Sequence, residues 1–221
     1  MSIPNAITEF WAWFQAHADQ IGRAYAVGDS VWLDDQISPR IARIQENLSW
    51  EIGPYHVPEN TFVFSPAIRE NLPITRDAVA RAPEIPGWRF APAKPRKELN
   101  SLVFTAADST ICADDWRYHL TAYNDGEFVD IELLINGDSG LPPSKETLFS
   151  ELVVESLIGE ECRLDRVGYI THSIVADNRQ EGRSTPIRHL GDHLAQVLRL
   201  ESREVEHIRP PNDQPERQSQ N

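Results

Sequence analysis

Apolar side chains recur every three or four positions through most of the first 48 residues. This spacing predicts two amphipathic helices that pack as a hairpin. The inward-facing positions are Ile7, Phe10, Trp11, Phe14, Ala18, Ile21, Ile37, Ile41, Ile44 and Leu48. Ser38 and Pro39 are the residue types of a helix cap and a first helical position, so we expect the second helix to restart there. Trp13 lies off the first stripe, and we expect it to dock on the second helix.

After residue 49 the pattern changes to short apolar runs separated by glycine and proline. Residues 50–55 and 61–65 predict a hairpin of two strands, because turn residues interrupt the apolar run between them. Residues 75–82 predict a short helix, and residues 88–90 predict a third strand. The first half therefore has the order hairpin, helix, strand.

The second half repeats this order. Residues 116–123 and 128–135 are predicted strands that flank residues 124–126, an Asn-Asp-Gly sequence. Asp-Gly favours a two-residue hairpin turn, because both positions tolerate positive φ. Residues 144–158 then predict a helix, and residues 166–175 predict a further strand.

We therefore predict an α+β fold in which two ββαβ-like units share one mostly antiparallel sheet, with helices mainly on one face. The N-terminal helical hairpin precedes them, and a last helix covers residues 186–198. We assign residues 1–204 to a single domain. Its parts are the N-terminal helices (1–48), the first unit (50–97) and the second unit with the terminal helix (101–200). Residues 205–221 are polar and rich in proline, which predicts a disordered tail.

Charge is the most informative property of the composition. The formal net charge is −13, and fourteen acidic residues against three basic ones lie between Asp108 and Asp165. Such a field repels phosphate groups, so we expect neither nucleic acid nor an anionic membrane as a partner. A basic protein partner fits this charge better.

Targeting signals and cofactor motifs give no positive indication. The sequence has neither a long uninterrupted apolar run nor a secretory signal pattern, so we expect a cytoplasmic protein. The two isolated cysteines, Cys112 and Cys162, favour small buried side chains over a disulfide or a zinc site. The glycine-rich nucleotide motifs and the GxSxG motif do not occur, so we expect no cofactor.

The turn predicted in the central hairpin fixes its register, so the cross-strand partners follow. The expected core-facing pairs are Leu120 with Ile131, Tyr118 with Leu133, and Trp116 with Ile135. On the opposite face, His119 faces Glu132 and Thr121 faces Asp130. His119 and Glu132 are the candidate pair for general acid–base catalysis, because a carboxylate fixes the tautomer of an imidazole and stabilises its charged form. The alternative is an ordinary cross-strand ion pair in water.

Two further groups of residues are weaker candidates. His189 and His193 have the four-residue spacing that lets two imidazoles on a helix meet one metal ion; the alternative is a polar helix flank. Arg179 and Arg183 precede Ser184 at the start of the last helix, where they could hold a carboxylate or phosphate. The alternative for this segment is an ordinary capped loop.

Five segments resemble a family of bacterial proteins to which no activity is assigned. They are Phe10-Trp11-Ala12-Trp13-Phe14, Trp50-Glu51-Ile52-Gly53-Pro54, Pro86-Gly87-Trp88-Arg89-Phe90, Asp125-Gly126-Glu127-Phe128-Val129-Asp130-Ile131 and Glu181-Gly182-Arg183-Ser184-Thr185-Pro186. The resemblance spans most of the chain. It implies a bacterial, cytoplasmic context and transfers no catalytic residue.

Three functional hypotheses follow. The first is a protein-binding or regulatory module, similar to acidic immunity proteins by analogy, whose acidic surface meets a basic partner. We expect that surface to include Asp130, Glu132, Glu151 and Glu155. The second is a hydrolase that uses His119 with Glu132, or a metal ion held by His189 and His193. The third is a self-associating module in which Trp13 is exposed.

Overall fold

The computed structural model describes residues 2–53, 60–106, 108–137, 141–176 and 182–198. It confirms the predicted α+β class, because helices accompany sheets that contain both parallel and antiparallel pairs. The predicted tail and Arg179 lie outside the described residues. Within these ranges, every helix is too short or too polar to cross a bilayer.

Two long helices form the N-terminal hairpin, as predicted. Helix α1 spans Ile3–Ala26 and helix α2 spans Ser30–Ile44. The predicted inward positions of both helices are buried, together with Leu48 beyond the end of α2. The predicted restart at Ser38 is wrong, because α2 begins at Ser30, where the Asp29 carboxylate caps it, and continues through Pro39.

The first ββαβ unit follows these helices. Strand β1 (Ser49–Gly53) pairs antiparallel with β2 (Asn60–Ser65), and helix α3 (Leu72–Ala80) leads to β3 (Trp88–Ala91), which is parallel to β2. α3 begins three residues earlier than predicted, and Pro73 lies in its first turn. The backbone N–H groups of the first turn have no partner within the helix, so proline at this position costs no helical hydrogen bond. Phe62 and Phe64 of β2 pack against the aromatic side chains of α1.

A short hairpin that the sequence did not reveal separates the two units. It consists of β4 (Val103–Ala106) and β5 (Ser109–Cys112). Asp108, at the turn, has a positive φ of 59°. Aspartate tolerates this conformation better than most residues do, so Asp108 is the one weak indication of a turn in this part of the sequence.

The second ββαβ unit has the same topology as the first. Strand β6 (Arg117–Tyr123) pairs antiparallel with β7 (Phe128–Asn136), and β8 (Val167–Val175) is parallel to β7. The two-residue strand β9 (Thr185–Pro186) pairs with the other edge of β6, so the order of the sheet is β8-β7-β6-β9.

Helices cover one face of this sheet. They are α4 (Glu146–Ile158) and α6 (Leu190–Leu198), and the shorter α5 (Glu160–Arg166) joins α4 to β8. Phe149 and Val153 of α4 share a core with Leu190 and Leu194 of α6 and with the inward side chains of β6 and β7. The opposite face of β6, β7 and β8, which we call the outer face, carries mostly polar side chains.

The expectation that both units share one sheet is wrong, because their strands form separate sheets. The segment after β3 runs along the helices instead of pairing with a strand. The Lys97 amide donates to the Ser156 carbonyl (2.7 Å), and the Glu160 amide donates to the Lys94 carbonyl (2.8 Å). Proline at positions 92 and 95 removes two donors that a strand ladder would use, which explains this path.

A buried carboxylate joins the two halves of the chain. Glu160 is 2% exposed and accepts hydrogen bonds from the Ser65 hydroxyl (2.6 Å), the Ala67 amide (3.2 Å) and the Lys94 amide (3.0 Å). Ala67 has a positive φ of 61°, an unusual conformation for alanine, which the hydrogen bond to Glu160 helps to hold.

Candidate functional site: the outer face of the second sheet

The connection that sets the register of the outer face is longer than the predicted two-residue turn, because Tyr123 and Phe128 form the last strand pair. Asp125 and Gly126 both have positive φ (55° and 84°), and the Glu127 amide donates to the Asn124 carbonyl at 3.0 Å. Asn124 also has a positive φ of 51°, so residues 124–127 form a four-residue connection, which keeps the predicted strand register. The observed register pairs His119 with Glu132 and Thr121 with Asp130, as predicted.

His119, Glu132 and Ser173 form a polar row across three strands. The Nδ1 atom of His119 lies 3.4 Å from Oε2 of Glu132, and the Ser173 hydroxyl donates to Oε1 of the same carboxylate at 2.8 Å. The His119 and Glu132 side chains are 39% and 44% exposed. The serine therefore contacts the carboxylate and not the imidazole, whereas a serine nucleophile needs the imidazole beside its hydroxyl.

Aromatic side chains lie at the turn end of the outer face. Tyr123 and Phe128 stack with ring centroids 5.8 Å apart, and Tyr169 is 72% exposed. The Tyr123 hydroxyl donates to the Asp130 carboxylate, which also accepts the Tyr169 amide at 2.9 Å. Partial burial and then the Asp130 charge raise the pKa of Tyr123. Aromatic rings thus lie beside a fixed carboxylate.

Gly168 makes room for this arrangement. A Cβ atom at this position would lie 2.2 Å from the Tyr123 hydroxyl and 2.6 Å from Oδ1 of Asp130. The strand pairing is also irregular here, because Val129 and Ile131 of β7 pair with Val167 and Ile170 of β8. The extra residue in β8 is a bulge, and bulges commonly redirect side chains next to functional surfaces.

Of the predicted histidine pair, only His193 lies on α6, because His189 ends the short turn that precedes this helix. His193 Nδ1 lies 2.8 Å from the hydroxyl of Tyr118, a buried side chain on the helix-covered face of β6. His172, on the neighbouring strand β8, pairs with Glu146 at 2.9 Å. Among the residues that the structure describes, no group of three or more histidine, cysteine, aspartate or glutamate side chains could hold a metal ion.

The burial of Tyr118 predicts a pH effect on stability. Burial raises the pKa of Tyr118 from 10.0 to about 12. Between pH 10 and 12 the unfolded chain releases a proton that the folded chain keeps, so the free energy of unfolding should fall as the pH rises. Tyr118→Phe should remove this part of the decrease. Urea unfolding of both proteins across that range measures it, and equal slopes would contradict the assignment.

The acidic side chains predicted to form one surface lie on different sides of the molecule. Asp130 and Glu132 are on the outer face, whereas Glu151 and Glu155 are on α4, which packs on the other face. Glu155 pairs with Lys94 at 3.0 Å, and Glu151 lies 3.5 Å from Arg163. Glu151 and Glu155 are therefore not part of the same binding surface as Asp130 and Glu132.

The remaining predicted residues have other roles. Arg183 is exposed. At the predicted anion site, the Ser184 hydroxyl already accepts a hydrogen bond from Nε of Arg117 at 2.7 Å. The expected burial of both cysteines is wrong for Cys112, which is exposed because it ends the short β5 strand. Cys162 is partly buried, and burial raises the pKa of its thiol to about 11.

A polar groove that the sequence did not indicate lies where residues 96–100 meet the start of α6. Its volume is about 380 Å³, and Arg96, Lys97 and Arg188 line it together with acidic side chains. Arg96 lies 3.9 Å from Asp192. The groove joins segments that are about ninety residues apart, so no local pattern could reveal it.

Comparison of the chain with protein-family models, with curated proteins and with solved structures gave no match. The resemblance noted from the sequence therefore stays a prediction.

Proposed function

We propose that this protein is a binding module whose outer face takes a basic, arginine-containing segment of a protein partner. The observation that supports the proposal is the combination of acidic and aromatic side chains on an exposed sheet face. Four acids lie between Asp125 and Glu132 on the turn and on β7, and three aromatic side chains lie beside them. The aromatic residues are Tyr123, Phe128 and Tyr169.

Arginine suits this surface for two physical reasons. Its guanidinium group is planar and stacks on aromatic rings, and it also donates two parallel hydrogen bonds to a carboxylate. The chain itself shows the first contact, because the guanidinium carbon of Arg69 lies 5.4 Å from the centre of the Phe128 ring. Tyrosine and arginine are also the residues that most often dominate binding energy at protein interfaces.

The geometry gives less support to the hydrolase alternative. His119 and Glu132 are both more than a third exposed, so water screens their interaction. Ser173 contacts Glu132 and does not reach His119 in the way that a nucleophile would. The binding role needs only the charge and the exposure that these side chains have.

Neutralising the acids of the outer face should weaken binding to an arginine-rich probe. The test variant is Asp125→Asn, Glu127→Gln and Glu132→Gln, which keeps the size of each side chain and leaves Asp130 in its contacts. We expect about a tenfold loss of affinity for a synthetic Arg-Gly repeat peptide, and a smaller dependence on salt. Biolayer interferometry at several salt concentrations measures both quantities.

A matched control removes the same number of charges elsewhere. Asp19→Asn, Asp35→Asn and Glu46→Gln are exposed positions in and after the N-terminal helices. This control should bind like the unmodified protein. Equal losses in the two variants would mean that net charge alone attracts the peptide, and an unchanged affinity of the test variant would refute the proposed site.

A further inference from the structure

Strand β8 is the longest open edge among the described strands. It has nine residues and lies at one end of its sheet, with β7 on one side only. Other edge strands are shorter, and β1 and β3 carry the charged residues Glu51 and Arg89. Residues 168–176 contain no aspartate, glutamate, lysine or arginine. Proteins usually protect a long edge with charge, proline or a covering segment, so an uncharged edge indicates a binding surface.

The backbone groups that point away from β7 can be identified from two contacts. The Val175 carbonyl accepts the Gly137 amide at 2.9 Å, and the Tyr169 amide donates to Asp130 of β7 at 2.9 Å. In a strand, the N–H and C=O groups of one residue point the same way, and those of the next residue point the opposite way. Ile170, His172 and Ile174 therefore direct their N–H and C=O groups outward.

The sequence of this edge is nearly symmetric about His172. Reading outward from His172, Thr171 corresponds to Ser173, and Ile170 corresponds to Ile174. If two such strands pair antiparallel around a two-fold axis at His172, the outward-pointing residues face one another. The opposing residues then exchange both backbone hydrogen bonds, and isoleucine meets isoleucine while threonine meets serine.

We propose that a second copy of this chain pairs with β8 in this way, which forms a homodimer with one sheet continuous across both copies. Charge as well as symmetry favours a second copy of this chain as the partner of β8. Two chains of net charge −13 repel one another over most of their surface, whereas residues 168–176 themselves add no acidic side chain to the contact, and the nearby Glu146 is hydrogen-bonded to His172. Ile174 is 47% exposed in the single chain and would be covered by Ile170 of the partner subunit.

The neighbouring side chains are compatible with this pairing. Nε2 of His172 contacts Glu146 on the helix side of the sheet, so its side chain points away from the outer face and leaves the strand in its paired conformation. The side chains of Thr171 and Ser173 lie on the outer face, where the dimer would place two acidic and aromatic surfaces side by side. This inference is independent of the proposed function, because it concerns the edge of the sheet and not its face.

Ile174→Lys tests the proposal. The lysine side chain would remain in water in the single chain, but the two-fold axis would place two charges inside the dimer contact. Val27→Lys is the matched control, because Val27 is 80% exposed at the end of α1 and receives the same charge. Sedimentation velocity over a range of concentrations should show a dimer for the unmodified protein and for Val27→Lys, and a monomer for Ile174→Lys.

Amide hydrogen exchange provides a second readout that needs no variant. The amides of Ile170, His172 and Ile174 should become protected as the protein concentration rises, whereas those of Thr171 and Ser173 should stay equally protected throughout. A monomer at every concentration would overturn the proposal. So would a dimer that Ile174→Lys leaves intact, or a dimer without the concentration-dependent protection of these three amides.

Discussion

Glu160→Ala should lower the free energy of unfolding by about 3–5 kcal/mol, because it removes the acceptor for three hydrogen bonds in a buried interface. The Ser65 hydroxyl and the amides of Ala67 and Lys94 would lose their partner. Ala67 would also lose a contact that helps to hold its positive φ. Urea unfolding followed by circular dichroism measures this change.

Two further variants give this experiment its controls. Glu160→Gln keeps an acceptor oxygen and the side-chain volume, so we expect a smaller loss of about 1–2 kcal/mol. Glu161→Ala removes the neighbouring carboxylate, which is 46% exposed and pairs with Arg76 at 2.5 Å. A surface pair of this kind contributes less than about 1 kcal/mol. Equal losses for the two alanine variants would contradict the role given to Glu160.

Gly126→Ala should destabilise the protein by about 2–4 kcal/mol, because it combines backbone strain with a collision. Gly126 has a φ of +84°, and a Cβ atom there would lie 2.7 Å from the carbonyl oxygen of Val197 in α6. A backbone oxygen cannot rotate away as a flexible side chain can, so the turn or the end of α6 has to move. Chemical denaturation of the variant measures the loss.

Gly28→Ala separates the two contributions. Gly28 has a similar φ of +73°, but a Cβ atom there meets nothing within 4 Å. We expect this control to lose only about 1 kcal/mol, the usual difference between glycine and alanine at positive φ. If both variants lose the same stability, the turn does not pack against α6 as the structure shows.

The periodic patterns predicted the elements that pack on their own neighbours. The stripe from Ile7 to Ile21 is buried as expected, and Trp13 docks on α2, where the Arg40 guanidinium lies 4.1 Å from the centre of its ring. This contact leaves the self-association hypothesis based on Trp13 without support. The homodimer proposed above depends instead on the edge of β8, for which the sequence predicted no role.

Helix α2 shows how tertiary contacts override a local signal. Ser38 and Pro39 have the residue types of a helix start, yet Ile37 and Ile41 on either side are both buried against the core. Trp50 of β1 also donates its indole N–H to the Ser38 hydroxyl at 2.8 Å. Burial of the two isoleucines offsets the hydrogen bond that proline removes, so the helix continues.

By itself, the sequence determined the helical stripes, the repeated order of hairpin, helix and strand, and the register that places His119 opposite Glu132. These features depend on side-chain period and turn chemistry, which act over a few residues. Only the tertiary structure decided which acids are buried, which are paired and which face water. The sequence does not distinguish these carboxylates, and the partners of Glu160 lie 66 to 95 positions away along the chain. The open edge of β8 is likewise a consequence of long-range packing, because it depends on which strands pair with one another.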